Sequence, residues 1–246
     1  MMLEPRGALP APLADGTGRL ALVVPYRNRA EHLAKFVPHV VTYFERDLVA
    51  RTIPYAIHVV EQADDRPFNG GALKNAGFAL AHAEADTVCF HDVDYLPMWA
   101  DYTPVEAPTG LVTFGIDGSP DASQSYGCVV AFPVDDFVRV DGYSNEYAGW
   151  GFEDSDIALR VRRAGLRWLQ RDGTFLNLPH PHHGLSPEGE LNEAAQRNRA
   201  RFKAKVQSGQ VGNEGLSTLD FRVVRTERWS RNGVLQEHVL HHHVAW

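Results

Sequence analysis

Cysteine is scarce in this chain of 246 residues: Cys89 and Cys128 are the only two, and both sit inside apolar runs. That excludes a disulfide framework and points to reduced, packed thiols. No run approaches the roughly 20 apolar residues needed to cross a bilayer. The opening MMLEPRGALPAPLADGTGRL also lacks the charged start and long apolar stretch of a signal peptide. A cytosolic protein with no transmembrane segment is expected on those grounds. A basic excess is missing too. The formal net charge is −7, with Lys and Arg scattered singly or in small clusters, so the chain lacks the footprint of a nucleic-acid binder. No internal repeat or long low-complexity tract occurs. What is present is an ordinary globular balance, 44% hydrophobic against 22% charged, and enough length to bury a substantial core.

Residues 1–18 are rich in Pro, Gly and Ala and read as a loose lead-in, which leaves 19–246 as a single domain. RLALVVPY at 19–26 reads as a buried strand and 30–49 as an amphipathic helix strained by Pro38. A strand at 55–61, a helix at 71–84 and a strand at 86–91 follow. This β-α-β-α-β alternation predicts an α/β fold with a mostly parallel, Rossmann-like sheet, in which ligands bind beyond the carboxyl ends of the strands. Those ends carry PYRNR, EQADD and HDVD. The remainder is more irregular. It reads as strands at 111–115 and 127–132, a short helix at 134–140, a helix from Asp156 stopped by Gly165, another helix at 190–207, and closing strands. The ending HVLHHHVAW has three adjacent histidines flanked by apolar residues, and reads as a strand or tail in preference to a metal site.

Four stretches carry chemistry. In HDVD, Asp92 and Asp94 follow a buried strand; an Asx-rich turn explains them without function, while the alternative has one binding metal as its neighbour grips a ligand. LPHPHHG puts His180, His182 and His183 within four residues, and imidazole is the commonest transition-metal ligand. A mixed carboxylate and imidazole site suits Mn²⁺ or another first-row ion better than Mg²⁺. In GWGFEDSD, the macrodipole alone accounts for acids at a helix start. It does not account for Gly149-Trp150-Gly151, where small residues admit a ligand and an indole packs on a sugar face. A carboxylate beside that platform is placed to take a proton from a sugar hydroxyl. In PYRNR, Arg27 and Arg29 are either surface charges or planar forks for phosphate or a base.

Taken in order, VVPYRNRAEHL, FNGGALKNAGF, HDVDYLP, GYSNEYAGWGFEDSD and EGLSTLDFRVV resemble the β1,4-galactosyltransferase family, from about Val23 to Trp229. The HDVD form and the HPH pair are similar to the branch that transfers galactose to xylose. The resemblance implies a GT-A-like fold, with 19–100 as the nucleotide-sugar-binding half and 101–246 as the acceptor and catalytic half. It also implies Mn²⁺, a UDP-galactose or UDP-GalNAc donor and a carbohydrate acceptor. By position, Asp94, His180 and His182 match the metal ligands, with His183 a rival. Pro25, Arg27, Arg29, Asp92 and Val93 match the donor contacts, and Phe68 lies beside the base. Asp154 matches the catalytic base, Glu153 the neighbouring acid, and Trp150 the aromatic near donor and acceptor. Tyr126, Gly127 and Gly151 join Trp150, Glu153 and Asp154 on the acceptor side. Some positions depart from the family. Gly70 replaces an Arg, with Lys74 as a substitute diphosphate contact. Gly127-Cys128 replaces a paired glycine. Ser125 stands where a bulky Tyr favours galactose, which keeps GalNAc open, and Ser155 replaces an acceptor-seating Asp.

The reading is therefore a metal-dependent inverting glycosyltransferase. Two other classes stand beside it: a carbohydrate- or nucleotide-binding module with weak catalysis, and a metal-dependent phosphoesterase using the Asp and His cluster.

Overall fold

Strand β1 (Leu20–Tyr26) is buried at every position, as a continuous apolar run must be when helices cover both faces of its sheet. The computed structural model describes residues 19–112, 114–115, 126–180, 184, 189–231 and 234–246. Leu20, Leu22 and Val24 face one core together with Phe36, Val40 and Phe44 of helix α1 (Ala30–Arg46). Ala21 and Val23 face the other, with Leu73, Ala76 and Phe78 of helix α2 (Gly70–Ala81). That split follows from the two-residue period of a strand.

Helix α1 runs through Pro38 and ends at Arg46, before the expected Val49. There the Asp47 carboxylate accepts from the backbone N–H groups of Val49 and Ala50 and turns the chain. Helix α2 starts where the Asn69 side chain accepts the Ala72 N–H, a standard cap. It lies directly on the sheet because of Gly77, where an added Cβ would come within 2.2 Å of Val23 Cγ1 and 2.9 Å of Val60 Cγ2.

The remaining strands of the main sheet are β2 (Tyr55–Gln62), β3 (Thr87–His91), β5 (Thr109–Gly110), β7 (Val129–Pro133), β8 (Leu169–Gln170), β10 (Arg222–Arg231) and β11 (Val234–Ala245). Their order is β10-β11-β2-β1-β3-β7-β5-β8. The pairs β11/β2, β2/β1, β1/β3 and β5/β8 are parallel, while β10/β11, β3/β7 and β7/β5 are antiparallel. The fold is thus mixed α/β around a mostly parallel central sheet.

A second sheet has the order β4-β9-β6, from β4 (Tyr95–Ala100), β9 (Gly173–Asn177) and β6 (Phe114–Gly115). Strands β4 and β9 were not expected. Pro97 reads as a breaker in sequence, yet β4 is an edge strand, where a missing N–H is tolerated.

Helix α3 (Val134–Arg139) leads to helix α4 (Glu153–Arg163), which begins earlier than the expected Asp156. Its inner face rests on a buried charge network. The Asp156 carboxylate accepts from Arg160 Nε at 2.7 Å and Tyr147 Oη at 3.2 Å, and lies 3.0 Å from Lys205 Nζ on helix α5 (Glu193–Ser208). Glu214 closes the network on Arg160 and Lys205. No helix among the described residues is long and apolar enough to cross a membrane.

Candidate active site

A cleft of about 590 Å³ opens beyond the carboxyl ends of β1 and β3. Arg27 and Arg29 reach it from the end of β1, and Asp92, Val93 and Asp94 from the turn after β3. Trp150, Gly151, Glu153 and Asp154 come from the start of α4, and Phe68, Tyr126 and His180 close its walls. The turn is fixed by backbone bonds: the Asp92 N–H donates to the Cys128 carbonyl at 2.8 Å, and the Tyr95 N–H to the Asp92 carbonyl at 3.2 Å.

At one end His180 Nε2 lies 2.8 Å from Asp94 Oδ2. Arg29 Nη1 lies 3.7 Å from the same oxygen, and Arg29 Nη2 donates to His180 Nδ1 at 3.2 Å. Asp94 is itself held in place, its carbonyl accepting the Leu178 N–H at 2.7 Å. Beside it, the Asn177 Oδ1 is buried with no hydrogen-bond partner among the described residues, an orphan acceptor of the kind that calls for an explanation. A carboxylate and an imidazole facing one space, with an unsatisfied amide oxygen buried in the wall, fit a first-row divalent cation such as Mn²⁺. His182 and His183 lie outside the described residues.

At the other end the chemistry is acidic. Asp154 Oδ1 lies 3.1 Å from Nζ of Lys74, a side chain 6% exposed, while Asp154 keeps 34% of its own surface open. Burial opposes charge on Lys74, but Asp154, Tyr143, Asp92 and Glu153 outweigh it and hold the ammonium firmly protonated. Burial pushes the Glu153 carboxyl up to about 7, reinforced by Asp154 and opposed by Lys74. Burial likewise pushes Asp92 up to about 8, against the pull of Lys74 and with the push of Asp94, Asp154 and Glu153. One ammonium thus serves three crowded carboxyls, and the groups pushed up are Glu153 and Asp92. Gly127 makes room for this arrangement: a Cβ there would stand 2.1 Å from Asp154 Oδ2.

Backbone strain gathers here as well. Asn28, Cys128 and Phe152 have φ of 54°, 65° and 74°. Asn28 separates the two cleft arginines, and the other two line the cleft. Left-handed non-glycine residues are costly and persist where the surroundings over-determine them. Phe152, the residue before α4, turns the chain so that Glu153 and Asp154 enter the helix facing the cleft.

Arg27 stacks its guanidinium over the Phe68 ring at 5.4 Å and donates to the Arg66 carbonyl at 2.6 Å. Trp150 is 38% exposed; Gly184 sits against its indole, since a Cβ there would be 2.2 Å from Cε3. Other expected site residues stand elsewhere. Pro25 is buried within β1 and does not line the cleft. Lys74 is behind the cleft wall, so its ammonium serves Asp154 instead of replacing the Arg missing at Gly70. EQADD does not reach the cleft either; Gln62 braces the following loop, donating to Asp64 and accepting from the Asn69 N–H. Ser125 lies outside the described residues. Tyr95, Cys128 and Asn177 line the cleft without having been expected. Cys128 was visible only as a departure from a glycine pair. Asn177 carries no local signal, because it reaches the site by pairing of β9 with β4.

The cleft at this sheet edge thus carries a cation-suited pair at one end and a lysine-paired carboxylate at the other. Residues 2–103 match the family described as the N-terminal region of glycosyl transferase group 7, and residues 117–183 match the N-terminal domain of galactosyltransferase. The chain belongs to this family, the β1,4-galactosyltransferases. It is 37% identical over 175 residues to beta-1,4-galactosyltransferase 7 of Drosophila melanogaster, covering 67% of this chain and 52% of that protein. It is 36% identical over 235 residues to beta-1,4-galactosyltransferase 3 of Homo sapiens, covering 92% of this chain and 57% of that protein. The chain therefore spans about half the length of the curated relatives it matches. Among solved structures, it superposes on a Drosophila beta-1,4-galactosyltransferase 7 mutant in complex with manganese, UDP-Gal and xylobiose. The TM-score is 0.73 at 24% identity, covering 93% of this chain and 94% of that one. A Pyrobaculum calidifontis mannosyltransferase in complex with GDP-Man and Mn²⁺ shares the fold more distantly. Its TM-score is 0.52 at 15% identity, covering 85% of this chain and 69% of that one.

Proposed function

We propose that the chain is a metal-dependent inverting glycosyltransferase. It moves galactose, or GalNAc, from a UDP-sugar to a hydroxyl of a carbohydrate acceptor and forms a β-linkage. The observation that carries the reading is that Asp154, braced by the buried Lys74, shares one cleft with the Asp94–His180 pair. Asp94 and His180 would hold Mn²⁺ with Asn177 beside them. When bound, the ion supplies Lewis-acid neutralisation of charge on the departing diphosphate.

The chain's own side chains do the rest. Asp154 accepts the proton of the acceptor hydroxyl as that oxygen attacks the anomeric carbon from the face opposite the diphosphate, a contribution of about 10² to 10⁴ in rate. The Lys74 ammonium holds the carboxylate that must receive that proton. Glu153, pushed up to about 7, is the acid placed to hydrogen-bond sugar. The Trp150 indole offers an apolar face to the sugar ring, and Arg27, Arg29 and Phe68 bind the diphosphate and base. In this reading residues 19–100 serve the donor and 101–246 the acceptor and catalysis.

The test is a screen of UDP-sugars with Mn²⁺, following UDP release with and without simple xylosides and N-acetylglucosaminides. Acceptor-dependent UDP release from UDP-galactose or UDP-GalNAc is the expected result. Release of UMP and sugar phosphate would instead assign a phosphoesterase, and UDP binding without any turnover would assign a binding module.

A further inference from the structure

The three adjacent histidines near the carboxyl end of the chain form part of β11, which pairs in parallel with β2 and antiparallel with β10. Strand alternation sends His242 to one face, where its Nε2 meets His58 Nδ1 at 3.1 Å. His241 and His243 go to the opposite face. There His241 Nε2 stands 2.8 Å from Glu61 Oε2, and His243 Nδ1 stands 3.3 Å from the same oxygen. The two imidazoles stack at 4.4 Å and 21°.

The Nε2 atoms of His241 and His243 are both buried with no hydrogen-bond partner among the described residues. Buried polar atoms are rarely left so. One ligand atom from each of Glu61, His241 and His243 lies within 4.8 Å of the other two, so the three converge on one point. Behind them, His243 Nε2 is 3.6 Å from Glu227 Oε2 on β10. If Nδ1 binds a metal, Nε2–H faces this carboxylate, the arrangement that fixes the tautomer of most metal-bound histidines.

We propose that Glu61, His241 and His243 form a second divalent-metal site, separate from the cleft and suited to Zn²⁺. Two imidazoles and one carboxylate are a zinc-type ligand set, with a fourth position left for water. The ion would tie β11 to the carboxyl end of β2. It would also brace the end of β1, because the Tyr26 ring packs edge-on against His241 at 5.7 Å and the next residue is the cleft-lining Arg27. None of the three ligands lines the cleft, so the site stands or falls apart from the transferase reading.

The experiment titrates the full, untagged chain with Zn²⁺, and with Co²⁺ as a visible-absorbance probe. An Asp94→Asn/His180→Gln variant removes the cleft pair, and on that background His241→Gln/His243→Gln removes the new site; the Glu227→Gln and Glu61→Gln changes are made on the same background. The cleft variant should retain one tightly bound Zn²⁺ per chain and the Co²⁺ bands of a four-coordinate site, and the histidine variant should lose both. Glu227→Gln should weaken Zn²⁺ by about 10- to 100-fold, and Glu61→Gln by more, which covers the case of a histidine variant that fails to fold. Zn²⁺ should raise the melting temperature of the cleft variant and leave that of Glu61→Gln unchanged. Undiminished Zn²⁺ affinity in Glu61→Gln, or loss of all tight Zn²⁺ binding in the cleft variant, would overturn the proposal.

Discussion

Lys74 and Asp154, eighty positions apart, meet at 3.1 Å, with the ammonium on the buried side and the carboxylate half in the cleft. The lysine comes from the most deeply packed helix of the fold, and its Nζ also lies 4.6 Å over the Tyr143 ring. An ammonium so placed has no solvent to turn to, so its partner is fixed in turn. The Asp154 carboxylate is thereby tied to the core through α2.

Replacing Lys74 with Met removes the counter-charge that three carboxyls share. Breaking a buried pair typically costs about 3–5 kcal/mol. The exposure of Asp154 places this one lower, at about 1–3 kcal/mol after discount for screening. Urea denaturation should show that loss, and kcat should fall much further than affinity for UDP does.

Gly127→Ala should act on the same carboxylate from the opposite side. The new Cβ would occupy space 2.1 Å from Asp154 Oδ2, so the carboxylate or the strand must move. A displacement of this order costs about 100-fold in rate when the group must sit in a reactive geometry. Titration with UDP and Mn²⁺ should show near-normal binding while turnover falls; equal loss of both would mean that the glycine serves the fold alone.

Asp156→Ala tests the support under α4. Arg160 and Lys205 would keep only the more exposed Glu214 as carboxylate partner, and the expected loss is smaller than the loss of about 3–5 kcal/mol for a buried pair broken outright. The midpoint of chemical denaturation measures it.

Much of the architecture is legible in the chain because periodicity is local. The runs that became β1, α1, β2, α2 and β3 are largely apolar or amphipathic, and their ends shift by only a few residues. Strands β4 and β9 escaped because Pro97 reads as a breaker and the pairing that makes them strands is long-range. The site divides in the same way. Asp94, His180, Trp150 and Asp154 belong to recognisable motifs. The partner of Lys74, the orphan Asn177 oxygen and the Glu61–His241–His243 cluster exist only through contacts between distant segments. The histidine triplet shows this most plainly, since read linearly it is a polar patch in an apolar strand, and only sheet register separates its members.

The His58–His242 pair sets a pH dependence. Burial, with His242 beside it, pushes His58 down to about 3, and burial, with His241 and His243 nearby, pushes His242 down to about 4. Depressed imidazoles mean that the unfolded chain takes up protons before the folded one can. Stability from this pair is therefore complete above about pH 6.5 and is lost as pH falls toward 4. Each histidine contributes a slope of about 1.4 kcal/mol per pH unit within that window. Urea midpoints measured across it should fall steeply in the parent and more gently in a His58→Leu/His242→Leu variant.

The central claim, that Asp154 takes the acceptor proton in a cleft built by other residues, is tested most directly by Asp154→Asn. UDP release from UDP-galactose with Mn²⁺ and a xyloside should drop by about 10² to 10⁴, while UDP and Mn²⁺ affinities stay within a few-fold of the parent. Turnover close to that of the parent would contradict the account.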